Sequence, residues 1–233
     1  SLASLIFLGA TGLLLIMDLD QPKRFIYVLL RPHWKSWLVK GGYIITVFGG
    51  LVTLLGGSHL IGYGDSFNWL ELPVFGFAVM LSIYTAFLFS QAKGRDFWQS
   101  PLLILHMLLH SVLGGSALFL IIGLFWKSIN QMIPYLHNIL IVGLVVHVVS
   151  LAAELVTPHP TEDSHRTVKI ITHGVFKYEF WVGVIFIGSL LPFVFLISSL
   201  NPIILAFGGF LVLIGICFSV RIWVIAPQMI PLS

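Results

Sequence analysis

Cysteine is almost absent from this chain: only Cys217 occurs, inside an apolar run. A single thiol excludes a disulfide within the chain and an iron–sulfur cluster, which takes about four thiolates. Charge is scarce as well, at 9% of 233 residues, where a soluble domain carries roughly a quarter. There is no phosphate-cradling glycine loop, no dinucleotide fingerprint and no zinc-ligand spacing. The net charge of +3 is too small and too dispersed for a nucleic-acid partner. What fills the chain instead is apolar: 58% of residues are hydrophobic, and the mean hydropathy is +1.02. These values describe an integral membrane protein in which lipid takes the place of water.

A span needs about 20 apolar residues. Seven segments meet or approach that length: 1–17, 36–57, 70–91, 101–126, 132–156, 179–198 and 202–225. Their runs are continuous rather than alternating, which excludes strands. The expectation is an all-α, polytopic membrane helix bundle forming one transmembrane domain over 1–233. Brief linkers make consecutive helices antiparallel neighbours. The first segment is short and starts at Ser1 within an apolar run, so the intact protein is expected to have eight or more spans. No basic region precedes that run, which argues against a signal peptide.

Linkers 18–35, 92–100 and 157–178 collect nine Lys or Arg residues, and Lys40 and Arg221 snorkel to the same side. The opposite linkers hold only Lys127. Eleven against one places the basic side, and with it the C-terminus, in the cytoplasm. The expected location is the inner (cytoplasmic) membrane of a prokaryote. Within linker 157–178, Thr161 is placed to cap a short helix with Glu162 and Asp163 in its first turn, and Gly174 to end it. Val168 and Ile171 are expected on the membrane surface.

Polar side chains inside spans are costly and need a partner or a task. Tyr84 and Gln91 are seven apart and share a face of the third span. His106 and His110 share a face of the fourth. His147, Ser150 and Glu154 form a stripe on the fifth. At about 1.5 Å per residue, Tyr84, His110 and His147 lie roughly 10, 13 and 14 Å from the basic-side ends of their helices. Below them come His106, Gln91 and Glu154, then Asp96, Arg95, Asp18 and Asp20. The result reads as a polar track from the basic surface to mid-membrane, with the charged turn at its mouth. The bland reading stands beside it: polar groups also bind helices together at about 0.6–2 kcal/mol each. Glu154, close to its helix end, reads most simply as a solvated or ion-paired interface residue. Glycine pairs at 41–42, 49–50, 56–57, 114–115 and 208–209 read as close helix contacts. Pro192 is expected to kink the sixth span. All seven tryptophans, Trp34, Trp37, Trp69, Trp98, Trp126, Trp181 and Trp223, fall near span ends and read as interface anchors.

Two stretches, DLDQPKRFIYVLLRPHWKSWLVKGGYI (18–44) and YTAFLFSQAKGRDFWQSPLL (84–103), resemble motifs of the NrfD/PsrC family. HPTEDSHRTVKIITHG (159–174), FWVGV (180–184) and APQMIPLS (226–233) resemble its later, weaker features. These are membrane anchors of molybdopterin oxidoreductases of the polysulfide-reductase type. The resemblance implies a subunit that exchanges electrons with menaquinone or ubiquinone and carries neither haem nor an iron–sulfur cluster. It also implies two partner chains, a four-cluster iron–sulfur subunit and a molybdopterin catalytic subunit. The family's quinone-site tyrosine corresponds to Tyr84. Arg95–Asp96 departs from the family's common Arg-Pro, and His106 and His110 are extra.

Together these readings give a quinone site of Tyr84, His110 and His147. The proton path comprises His106, Gln91, Glu154, Asp18, Asp96 and Arg95. A phenol packs and donates, and an imidazole relays protons because its ordinary pKa is about 6.5. The rivals are a haem b anchor, with His106 or His110 opposite His147, a secondary transporter and a purely structural anchor.

Overall fold

A computed structural model of the chain describes residues 2–17, 30–157 and 161–231. Asp18, Asp20 and the first part of the 18–44 stretch lie outside the described residues. Those described form helices α1 (Leu2–Met17), α2 (Trp37–Leu60), α3 (Glu71–Ser90), α4 (Leu102–Gly123), α5 (Ile133–Val156), α6 (Glu162–Thr172), α7 (Glu179–Ser198) and α8 (Pro202–Ile225). No strand occurs among the described residues. All but α1 and α6 are long and apolar enough to cross a membrane; α1 has 16 residues. The all-α polytopic bundle expected from the apolar runs is therefore present. Its outer surface is apolar, with Val142, Val149 and Ile197 each about three-fifths exposed. That suits a lipid solvent, where exposed aliphatic surface costs nothing.

Helix ends follow local chemistry. Pro134 and Pro202 sit in first turns, where no amide donor is required. The Asn201 side chain accepts from the Ile203 amide at 2.9 Å. Thr161 caps α6 by accepting from the Ser164 amide, and the chain turns out of the helix through Gly174. A Cβ at Gly174 would strike the Ile170 backbone. The buried side of α6 differs from the sequence expectation. Ile171 is fully enclosed by protein, not laid on the membrane surface, and Ser164 and Thr167 are buried beside it.

The chain forms two compact units, Ser1–Gln91 and Ala92–Ser233. In the first, α2 packs against both α1 and α3. Gly41 lies against the edge of the Tyr84 ring, where a Cβ would come within 2.5 Å of it. Trp37 stacks on Phe87 with ring centroids 4.4 Å apart.

In the second unit, α8 packs on α4 and α7, and α4 packs on α5. Leu113, Leu140, Leu144 and Val212 are buried where these helices meet. The tightest approach lies between α7 and α8. A Cβ built on Gly188 would fall on the Gly215 backbone, and the reverse is also true. The two backbones touch with no side-chain layer between them, as small residues permit in membranes. Residues Glu179–Leu190 of α7 wind as a π-helix, which passes into an α-helix at Leu191–Ser198. Pro192 thus marks a change of winding. The Ser189 hydroxyl donates to the Val184 carbonyl five residues back, at 2.9 Å.

Two tryptophans depart from the anchor role. Trp98 and Trp223 are buried, and the Trp98 indole donates to the Trp223 carbonyl at 2.8 Å. Trp34, Trp69, Trp126 and Trp181 are more than half exposed, as an interface belt requires. The glycine pairs also divide: Gly209 abuts the Ala117 backbone, whereas a Cβ on Gly50, Gly57 or Gly115 would meet nothing within 4 Å. Gly188→Ala is expected to destabilise the protein by about 1–3 kcal/mol through overpacking. Gly115→Ala should leave the thermal midpoint unchanged or slightly higher, and scanning fluorimetry in detergent compares the two.

Candidate functional site

The predicted residues divide between the units. Tyr84 and Gln91 belong to the first. Tyr84 is buried, at 4% exposure, and the Cδ2–Cε2 edge of its ring lies against Gly41. Only a residue without Cβ lets the ring approach the helix this closely. Gln91 is exposed and holds backbone: it accepts from the Trp37 amide at 2.9 Å and donates to the Lys35 carbonyl at 3.1 Å. It therefore satisfies one of the unpaired amides at the start of α2.

The second unit brings the histidines together. His106 and His110 come from α4, and His147, Ser150 and Glu154 from α5. The shared-face spacings do meet. Ring centroids are 6.4 Å apart for His106 and His110, 6.3 Å for His106 and His147, and 5.2 Å for His110 and His147. Trp223 from α8 lies against His106 at 5.5 Å.

From the helix ends inward, the groups form a ladder. The Ser100 hydroxyl donates to Glu154 Oε2 at 2.9 Å, and Ser100 Oγ also accepts weakly from the Leu102 amide. The same Glu154 oxygen is 3.9 Å from His106 Nε2. That is ion-pair range, but longer than a hydrogen bond. The Ser150 hydroxyl donates to the His147 carbonyl at 2.8 Å and lies 3.5 Å from His106 Nδ1. Glu154 is 2% exposed. Of the two interface roles that its position suggested, solvated or ion-paired, the solvated one does not hold: the carboxyl is enclosed and held by Ser100, with His106 at ion-pair distance.

Several buried atoms of the histidines have no hydrogen-bond partner: His106 Nε2, both ring nitrogens of His110 and His147 Nδ1; Ser219 Oγ on α8 is unpaired as well. Buried polar atoms are nearly always paired with protein or ordered water. The imidazoles therefore keep open hydrogen-bonding positions inside the protein. Among the described residues, no group of three or more His, Cys, Asp or Glu is arranged to hold an ion.

Arg95 and Asp96 lie at the Ser100 end of the ladder. Arg95 donates to the Pro227 and Ile230 carbonyls and so fastens the C-terminal turn. A cavity of 10 Å³, lined by Arg95, Asp96, Asp163 and Thr167 among others, adjoins this corner. That is close to the space one water needs. His137 is remote from the ladder in role: its Nε2 is 2.8 Å from the Leu196 carbonyl, near the end of α7.

Sequence reasoning missed Ser100, Ser219 and Trp223. Ser100 carried a usable signal, a hydroxyl directly before the helix-opening Pro101. Ser219 and Trp223 are four apart on one helix face, a spacing that reads equally well as packing.

No curated protein and no solved structure matches the chain. The family model described as polysulphide reductase, NrfD, matches residues 1–231. A match of that extent accounts for the helix bundle and both quoted motifs: the chain belongs to the NrfD family, whose members are membrane subunits of molybdopterin oxidoreductase complexes.

Proposed function

We propose that this chain is the quinone-reactive subunit of its complex. It exchanges electrons between a menaquinone or ubiquinone pool and a separate four-cluster iron–sulfur subunit, which serves a molybdopterin catalytic subunit, and it supplies a proton path. The observation that carries the reading is the buried ladder from Ser100 through Glu154 to His106, His147 and His110, with its unpaired ring nitrogens. A membrane protein that served only as an anchor would gain nothing from leaving these atoms unmatched. Each unmatched atom costs about 1–3 kcal/mol, and apolar residues of the same shape would avoid that cost.

Quinone reduction takes two electrons and two protons, and quinol oxidation returns them. The electrons arrive from or leave to the partner chain, since a protein with one cysteine holds no cluster of its own. In this reading, Tyr84 offers its ring as a packing surface and its hydroxyl as a donor to a quinone carbonyl. The histidines pass protons, because an imidazole accepts at one nitrogen while donating from the other. Glu154 exchanges protons with water near Ser100, at the end of the unit that carries residues 92–101 and the C-terminal turn. The positive-inside count assigns that end to the cytoplasm, and with it an inner-membrane location.

Three measurements test the reading, the first two on the assembled complex in membranes. Tyr84→Phe removes one donor worth about 1–3 kcal/mol. It should lower quinol-linked turnover about tenfold or more while the subunits still assemble; normal quinone kinetics would take Tyr84 out of the site. Glu154→Gln keeps an oxygen for Ser100 but cannot carry a proton. Turnover should fall about tenfold or more, within the range for general acid–base groups, with the thermal midpoint held. Unchanged rates would leave Glu154 a structural role only. Finally, the purified chain should show no haem band in a reduced-minus-oxidised spectrum and should retain quinone on extraction. A haem band would favour a haem b anchor instead.

A further inference from the structure

The end of α6 and the start of α7 carry a surface that the quinone reading does not use. Three backbone bonds close the turn between them. The His173 and Gly174 amides both donate to the Lys169 carbonyl at 2.9 Å, and the Phe176 amide donates to the Ile170 carbonyl at 3.3 Å. The Trp181 indole then donates to the Thr172 carbonyl at 3.0 Å, which ties α6 to the first turn of the span. This turn brings Lys169, His173 and Lys177 out on the exposed side. Val175 and Tyr178 are more than 70% exposed, and Trp181 is 51% exposed.

The charges here are unevenly matched. Arg166 sits 4.0 Å from Asp163, and Glu179 is taken by Arg221 from α8. Among the described residues, no carboxylate lies within salt-bridge distance of Lys169 or Lys177. The Lys177 ammonium lies 5.0 Å from the Tyr178 ring centroid.

From these contacts we infer that Lys169, His173 and Lys177 form a headgroup site for an anionic phospholipid. The two ammonium groups face the phosphate, with the His173 ring beside them on the Thr172 hydroxyl at 2.8 Å; Tyr178 and Trp181 lie at the glycerol level, and the acyl chains run down the exposed face of α7. Composition favours a lipid as the occupant. Trp181 is the third residue of a helix long and apolar enough to cross a membrane, which puts it at the level where an aromatic belt meets headgroups. The unpaired lysines select an anionic lipid over a zwitterionic one. The site depends only on the chain being embedded in a membrane.

The test is native mass spectrometry of the protein released from nanodiscs of phosphatidylcholine containing a minority of phosphatidylglycerol. Wild type should retain phosphatidylglycerol in preference to phosphatidylcholine. The double substitution Lys169→Gln with Lys177→Gln should reduce that preference by about thirtyfold, which corresponds to roughly 1 kcal/mol per lysine. Lys93→Gln, in another linker, should leave it intact. Both substituted proteins should elute as wild type on size exclusion, because the lysine side chains are exposed and removing their charge disturbs no buried contact. The site is overturned if wild type shows no preference, or if Lys93→Gln has the same effect as the double substitution. It is equally overturned if the double variant keeps its lipid preference; loss of a co-purifying subunit alongside would make the patch a protein interface.

Discussion

Six residues between two spans, Arg95 to Ser100, hold one end of the second unit together. Arg95 fastens the C-terminal turn through two carbonyls. Trp98 donates to the Trp223 carbonyl and so fixes the ring that lies against His106. Ser100 holds Glu154. A carboxyl this deeply enclosed is tolerable only where donors are already in place, and a lone hydroxyl from a loop is adequate only if the loop cannot drift. The tight grouping of charge and aromatic residues at the turn is therefore a positioning device for groups inside the bundle. The guanidinium, with donors in a fixed fork, suits the task of gripping two carbonyls at once.

The helices around the ladder are set by contacts of a different kind. Lipid offers no hydrophobic drive to press helices together, so approach depends on shape. Gly188 and Gly215 meet backbone to backbone, Gly209 meets the Ala117 backbone, and Gly143 receives the Leu113 side chain. The π-wound part of α7 faces this seam. Such windings often occur near functional sites. Here the π segment contains Gly183, where a Cβ would collide with the Phe218 ring, one residue before the buried Ser219.

Most of the architecture was legible in the sequence because the bilayer imposes one rule: a continuous apolar run of sufficient length becomes a helix. The four-residue spacing of His106 and His110, and the stripe of His147, Ser150 and Glu154, correctly implied shared faces, and those faces do meet. Thr161 and Gly174 bounded α6 as their local chemistry requires. What escaped was whatever depends on pairing between distant segments. Trp98 and Trp223 sit near span ends like any interface tryptophan, and only the fold shows that they face inward. Ile171 looks like a membrane-facing residue until the C-terminal turn is packed beneath α6. Arg95 read as part of a charged mouth because its carbonyl partners lie more than 130 residues away. Gly188 and Gly215 do not stand in pairs, so nothing local announced their contact. Tyr84 was picked out as a phenol inside a span and then by motif, and the reason its ring fits where it does, Gly41 against its edge, lies on another helix.

The Gly188–Gly215 junction has a mechanical consequence. Sliding between helices normally proceeds by exchanging side-chain knobs between neighbouring holes, and here there are no knobs to exchange. α7 and α8 must therefore travel as one rigid plank. Gly209 against the Ala117 backbone couples α4 to the same plank, which leaves α5, seated on α4 through the Leu113 side chain over Gly143, as the helix of this unit held by side-chain packing.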